Sequence, residues 1–315
     1  ITNISIMLKT ALNNLKMRKY DGETFYHEEN QYLNLIDDIL REGNMVNGRN
    51  GNALTVFGSS MHFTLENNTL PLLTSKSVAW KTCIKELLWF VSGSTDNGVL
   101  KEQNVKIWNG NASREYLDSI GLNDRDEDDL GPVYGHQWRH FNAKYKTCKD
   151  DYENEGVDQL KYIIESLKDP EKRYSRRLIM SAWNPCQLPE MALPPCHVLV
   201  QFNVLPGDKL ACSLYQRSGD VGLGVPFNIA SYSVLTHIIA HQCGLNATEF
   251  NYHLGNCHIY DDHIECIKEQ LERKPYKFPV ININRKPDDI VGYTIDDFDL
   301  VNYNSHSKIT MEMRK

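Results

Sequence analysis

Met191-Ala192-Leu193-Pro194-Pro195-Cys196-His197 runs directly into an alternating stretch, Val198, Val200, Phe202 and Val204. Each proline fixes its own φ and biases the preceding residue toward extended geometry, so Cys196 enters a strand from a rigid lead-in. A nucleophile would be presented in this way, although a lone cysteine is more often a small buried hydrophobe. Pro206-Gly207 marks a turn, and a second alternating run leads from Asp208 through Leu210, Cys212 and Leu214 to Gln216 and Arg217. Together they read as a β-hairpin. With Pro206 and Gly207 as the loop, Leu205 faces Asp208 and counting outward brings Cys196 opposite Arg217; another loop length would shift that register by a residue or two. A guanidinium beside a thiol favours the thiolate, lowering an ordinary pKa of about 8.5. His197 should point to the opposite face, which argues against a Cys196-His197 dyad.

The chain has 315 residues, 41% hydrophobic and 24% charged, enough for one large globular domain or two ordinary ones. A formal charge of −7 offers no global attraction to nucleic acid or an anionic membrane, so an anionic ligand needs a local arginine cluster. Eight cysteines without a C-x-x-C pair, no signal peptide and no bilayer-length apolar run point to a reducing, cytoplasmic setting. Residues 1–27 form a weakly patterned lead beginning at Ile1, which reads as a trimmed chain or a piece of a longer one.

Upstream, the spacing of Tyr32, Leu33, Leu35, Ile36, Ile39 and Leu40 predicts a core-facing helix ending at Gly43. Asn47 to Asn52, with Arg49, could wrap a phosphate but alone reads as a hairpin turn before a strand at Ala53–Phe57. A helix is predicted over Trp80–Val91. Its Glu86 is either solvated or, beside Leu87-Leu88-Trp89-Phe90, partly buried with a raised pKa. Val105 to Trp108 reads as a short strand or loop, and Tyr134, flanked by Gly131 and Gly135, as a point of close backbone packing. A helix follows at Val157–Leu167. Arg176-Arg177 opens a strand at Leu178–Trp183, where adjacent arginines diverge as a surface pair.

Past the hairpin, Ser218 to Asn228 reads as a glycine-rich loop without dinucleotide spacing, before a buried helix from about Ile229 to Cys243 stopped by Gly244. His237 and His241, one turn apart, with Cys257, His258, Asp261 and His263 downstream could be zinc ligands, but core or polar contacts are the favoured reading. The tail from Ile295 to Lys315 alternates like a strand up to Met313.

Glu86-Leu87-Leu88-Trp89-Phe90, Gly131-Pro132-Val133-Tyr134-Gly135, Arg176-Arg177, Ala192 to His197, Tyr215-Gln216-Arg217-Ser218 and Gly224-Val225-Pro226-Phe227-Asn228 follow one another in the order and spacing of the thymidylate synthases. The chain resembles that family from about Glu28 to Met313. The resemblance implies an α+β (mixed α/β) fold, with a large, mostly buried mixed sheet packed against helices and one sheet face forming a homodimer interface. It makes residues 28–315 a catalytic domain that methylates dUMP to dTMP, with 5,10-methylenetetrahydrofolate giving both the one-carbon unit and the hydride and leaving as dihydrofolate, without a metal. By the same resemblance Cys196 adds to pyrimidine C6, Glu86 moves protons through ordered water, Tyr134 assists deprotonation at C5, and Arg217 and Asn228 complete the catalytic set. The dUMP site would comprise Arg49, His197, Gln216, Arg217, Ser218, Asp220, Asn228, His258 and Tyr260, with Arg176 and Arg177 reaching the phosphate from the partner subunit. The folate site would comprise Lys76, Ile107, Trp108, Asn111, Asp220, Gly224 and Phe227.

The chain departs from the family pattern in several places. Arg49-Asn50-Gly51-Asn52-Ala53 fits the phosphate loop only with one residue deleted; Asn109, Asn142 and Lys144 are unusual; and Met313-Arg314-Lys315 replaces a small or apolar finish. Two other readings stand beside this one. A pyrimidine hydroxymethylase of the same superfamily is disfavoured by Asn228 and Trp108, and a non-catalytic RNA-binding or regulatory homologue would have no need of Cys196, Glu86 and Arg217 together.

Overall fold

The computed structural model describes residues 27–314, so the lead expected over residues 1–27 lies, but for His27, outside the described residues. In chain order the elements are α1 (Asn30–Glu42), β1 (Asn44–Gly48), β2 (Gly51–Thr64), α2 (Trp80–Val91), α3 (Asn97–Glu102), α4 (Arg114–Ser119), α5 (Tyr134–His140), α6 (Gln159–Lys168), β3 (Ile179–Ser181), β4 (His197–Leu205), β5 (Lys209–Asp220), α7 (Gly224–Cys243), β6 (Asn246–Tyr260), α8 (Ile264–Leu271), β7 (Val280–Ile283) and β8 (Phe298–Val301). Six strands form a mixed sheet in the order β1-β2-β6-β5-β4-β3. Only the β5–β6 pair is parallel.

Alternation decides which side of this sheet is buried. Val200, Phe202 and Val204 on β4, Leu210, Cys212 and Leu214 on β5, and Phe250, Tyr252 and Leu254 on β6 all face inward. Against them lies α7, with α2 and α6 on its far side, so the helix is covered all round as its uniform apolarity predicts. Gly244 ends it in the left-handed conformation at φ 69°, its N–H donating to Ala240 O. The fold is therefore mixed α/β, a large mixed sheet packed against helices.

Several boundaries differ from those expected. The supposed loop from Ser218 to Asn228 is short: Ser218–Asp220 finishes β5 and Gly224 already begins α7. Asp220 Oδ1 accepts from Gly222 N at 2.8 Å and Leu223 N at 3.2 Å, which turns the chain, and Pro226 fits the first helical turn, where no N–H is needed. Helix α6 starts at Gln159 because Asp158 caps it, accepting from Lys161 N at 2.9 Å. Strand β2 continues to Thr64 along β6, well past Phe57. Of the strand and loop readings of Val105–Trp108 the loop is correct, Ile107 and Trp108 beginning a turn, and β3 covers only Ile179–Ser181.

The tail is a strand only over Phe298–Val301. Beyond it the alternation finds no neighbouring strand; individual groups hold the chain, as where Thr74 O accepts from His306 N at 2.8 Å and Ser307 O from Arg273 Nη1 at 2.7 Å.

Candidate active site

Strand β4 begins where the parallel pair β5–β6 ends, and α7 begins three residues after β5. Cys196, the Gln216–Asp220 segment, His258, Tyr260 and the first turn of α7 thus converge at one end of the sheet. The hairpin count is correct for Cys196 but for an unexpected reason. The loop has three residues, Leu205 pairing with Lys209, and a bulge at Val198 then restores the register, so that His197 pairs with Gln216 and Arg217 N donates to Cys196 O at 2.9 Å. Gly207 and Asp208 take φ of 86° and 56°, which a longer turn needs and a Pro-Gly pair alone does not reveal.

The Arg217 guanidinium is held against the proline lead-in, donating from Nε to Pro195 O at 2.8 Å and from Nη2 to Pro194 O at 2.9 Å. It lies over the Trp183 ring, 5.6 Å from its centroid. The expected activation of the thiol needs correction here. Burial raises the Cys196 pKa, and Arg217 and Arg49 oppose that shift without reversing it. The arginines offset part of the penalty that burial places on the thiolate.

His197 turns away from the sulfur, as strand alternation predicts. Its buried ring sits 5.1 Å from Tyr134 and 5.2 Å from Tyr232, and burial lowers its pKa to about 4, so it is neutral. Tyr134 opens α5, and its hydroxyl accepts from Cys196 N at 2.7 Å. The glycines around it are obligatory. A Cβ on Gly131, which has φ of 74°, would meet Glu190 O at 2.2 Å, and one on Gly135 would meet Ser94 O at 2.6 Å.

Glu86 is 8% exposed on α2, accepts from Trp108 Nε1 at 2.8 Å, and has its pKa raised to about 7 by burial against that bond. Of the two readings of Glu86, the buried one is correct. A carboxyl poised near neutrality is suited to giving and taking protons. Trp108 also lies 6.0 Å from Tyr134, which connects the carboxyl to the Cys196 end of the site through one aromatic layer.

Asn228, on the first turns of α7, is buried and accepts at Oδ1 from Gln216 Nε2 at 3.0 Å. Phe227 and Ile107 are partly exposed beside the core, and Gly224 and Asn111 are partly exposed as well. At the end of β6, His258 Nδ1 bonds Asn256 Oδ1 at 2.9 Å and Tyr260 OH accepts from Asn50 Nδ2 at 3.4 Å. Asp220 pairs with His258 across β5–β6. Arg49 lies in the β1–β2 turn, donates to Tyr116 OH at 2.9 Å, and is near enough to Cys196 to act on its titration.

Lys76, Arg176 and Arg177 remain to be placed. Lys76 is 5% exposed and donates inward to Gly222 O, with burial lowering its pKa to about 8, so its ammonium is not displayed at the surface. Arg176 and Arg177 occupy an exposed turn before the edge strand β3, which supplies the backbone bend that two strand arginines would have lacked. Among the described residues neither guanidinium hydrogen-bonds another protein group. His237 and His241 are contact histidines, bonded to Thr69 O at 3.0 Å and Tyr293 OH at 2.7 Å.

Two contributors escaped sequence reading. Tyr252 donates to Gln216 Oε1 at 2.6 Å; its place among the inward positions of β6 was the available signal, since a buried hydroxyl needs a partner. Arg314 pairs with Asp261 and Asp262, both at 2.9 Å, and lies over the Tyr260 ring.

A thiol and a buried amide at one end of the sheet, with a buried carboxyl titrating near neutrality on the helix beside them, make up one cluster of reactive and polar groups. Comparison with known proteins agrees with that geometry. The thymidylate synthase family model matches residues 30–315, and the chain belongs to that family. It is 51% identical over 296 residues to the thymidylate synthase of Saccharomyces cerevisiae, covering 91% of this chain and 97% of the relative. It is 53% identical over 288 residues to the bifunctional dihydrofolate reductase-thymidylate synthase of Paramecium tetraurelia, covering 91% of this chain, and 52% identical over 289 residues to that of Zea mays, again covering 91%. The chain spans 61% and 54% of the length of those two bifunctional relatives. Among the described residues no helix is long and apolar enough to cross a membrane.

Proposed function

We propose that this chain catalyses the reductive methylation of dUMP to dTMP. The carrying observation is the placement of Cys196 between Arg217 and the Tyr134 hydroxyl, with Glu86 beyond the same aromatic layer. Cys196 would add to C6 of uracil, making C5 nucleophilic. Arg217, Ser218 and Arg49 would hold the phosphate, Asn228 would meet N3 and O4, and His258 and Tyr260 the ribose. Glu86 would move protons near the C4 carbonyl and Tyr134 would assist removal of the C5 proton. The folate co-substrate supplies the one-carbon unit and hydride; Trp108, Ile107, Asn111, Gly224 and Phe227 would wall its site, with Asp220 on its ring. Lys76, facing inward, would hold the Gly222 turn beside that site.

The enzyme would work as a homodimer in the reducing cytoplasm. Support for the dimer comes from the sheet's outer side, where Phe57 is 83%, Tyr215 43% and Ile179 39% exposed, and from Arg176 and Arg177, which are exposed in the turn before β3. All eight cysteines are free. The direct test is spectrophotometric: dihydrofolate should form only when dUMP and methylenetetrahydrofolate are both present and should stop in Cys196→Ala. No dihydrofolate from folded protein would overturn the assignment.

A further inference from the structure

Gln216 is 2% exposed, and both donors and one acceptor position of its carboxamide are taken. Nε2 donates to Ser218 O at 2.8 Å and to Asn228 Oδ1 at 3.0 Å, while Oε1 accepts from Tyr252 OH at 2.6 Å. Turning the amide over would set its oxygen against two acceptors, Ser218 O and Asn228 Oδ1. The orientation of Gln216 in turn constrains that of Asn228: were Asn228 reversed, its Nδ2 would confront Gln216 Nε2, donor against donor. Tyr252 is the far end of this chain. It is fully buried, its ring is stacked on Phe250 at 5.6 Å, and burial raises its pKa, so the phenol stays protonated and donates.

We infer that Tyr252 is a specificity-determining positioning residue which, together with Ser218 O, fixes Gln216 and through it holds the Asn228 amide in the one orientation that accepts uracil and rejects cytosine. The inference rests on the reading of Asn228 as the base-facing group. Uracil presents a donor at N3 and an acceptor at O4, which Oδ1 and Nδ2 of Asn228 satisfy as they stand. Cytosine presents an acceptor at N3 and a donor at N4, which requires the reversed amide that Gln216 forbids. Discrimination thus depends on a hydroxyl that need not touch the nucleotide.

The test compares dUMP and dCMP binding by calorimetric titration in the wild type, Tyr252→Phe, Tyr252→His and Asn228→Asp. Tyr252→Phe removes one oxygen and should narrow the dUMP-to-dCMP affinity ratio roughly tenfold, the scale of one buried hydrogen bond. Tyr252→His, which keeps a ring N–H donor, should recover part of that ratio. If Tyr252→Phe retains the wild-type ratio while Asn228→Asp changes it, the relay is wrong and the Asn228 reading stands. If neither changes it, the Asn228 reading fails as well. An equal loss for both nucleotides, the result of a merely structural role, also overturns the relay. Should Tyr252→Phe not yield folded protein, Tyr252→Met decides the matter, since it too removes the hydroxyl and must narrow the ratio at least as far.

Discussion

Arg217 stands directly opposite Cys196, its backbone N–H on the Cys196 carbonyl at 2.9 Å and its guanidinium folded onto the carbonyls of Pro194 and Pro195. The arginine is thus fixed by the same two prolines that aim the cysteine. A loop one residue longer than Pro-Gly and a bulge at Val198 cancel to produce this pairing.

Because burial raises the Cys196 pKa and Arg217 opposes it, Arg217→Ala should push the thiol higher still. Alkylation by iodoacetamide at pH 7 should slow by roughly tenfold, about one pKa unit, with Cys186, Cys148 and Cys266 replaced by Ser because these are exposed or partly exposed. Cys212 is buried and can stay. Superimposable rate profiles against pH would show that the guanidinium does not govern the sulfur.

Glu86 has a folded pKa of about 7, above its ordinary 4.5. The native state therefore holds an extra proton between those values, and the group's contribution to stability is lost as pH rises from about 4.5 through about 7. Glu86→Gln keeps the acceptor for Trp108 without the charge. It should abolish turnover yet be more stable than wild type at pH 8, by up to about 3 kcal/mol. Urea denaturation at pH 5 and pH 8 measures this; a gap between the two proteins that does not change with pH would contradict the buried carboxyl.

If Arg176 and Arg177 serve the partner's site, Cys196→Ala and Arg176→Ala subunits, each inactive alone, should complement on mixing. After denaturation and joint refolding, random pairing would put about half of the subunits in hybrids, each with one intact site, so about a quarter of wild-type specific activity should return. Activity no higher than in either parent would argue against shared sites.

Arg314 joins the tail to Asp261 and Asp262 and fills the space over Gly51, where a Cβ would meet its Nη1 at 2.9 Å. The pairs are partly exposed, so they hold the tail only weakly and weaken further with salt. Arg314→Ala should speed proteolytic trimming of the tail severalfold while leaving the melting temperature within a few degrees, and 1 M NaCl should largely erase the difference. Equal trimming at low salt would mean that the tail is held elsewhere.

Local chemistry determined much of this protein from sequence alone. Apolar periodicity marked α1 and α2 almost to the residue, the uniform apolarity of α7 announced a buried helix, and Gly244 ended it, because these depend on neighbours within a few residues. The Cys196 lead-in, the Asn228 turn and Glu86 among its hydrophobes were legible for the same reason, and their combined order resembled one family. Tertiary structure decided what depends on distant partners. Trp108 reaches Glu86 across 22 positions, Tyr252 reaches Gln216 across 36, and Arg314 reaches Asn50 across 264, so no local pattern carried them. The direction of the Cys196 shift belongs to the same class: sequence placed a charge beside the sulfur, but only packing revealed that desolvation outweighs it. The tail shows the converse, since its alternating pattern became strand only where β7 lay alongside to pair with it.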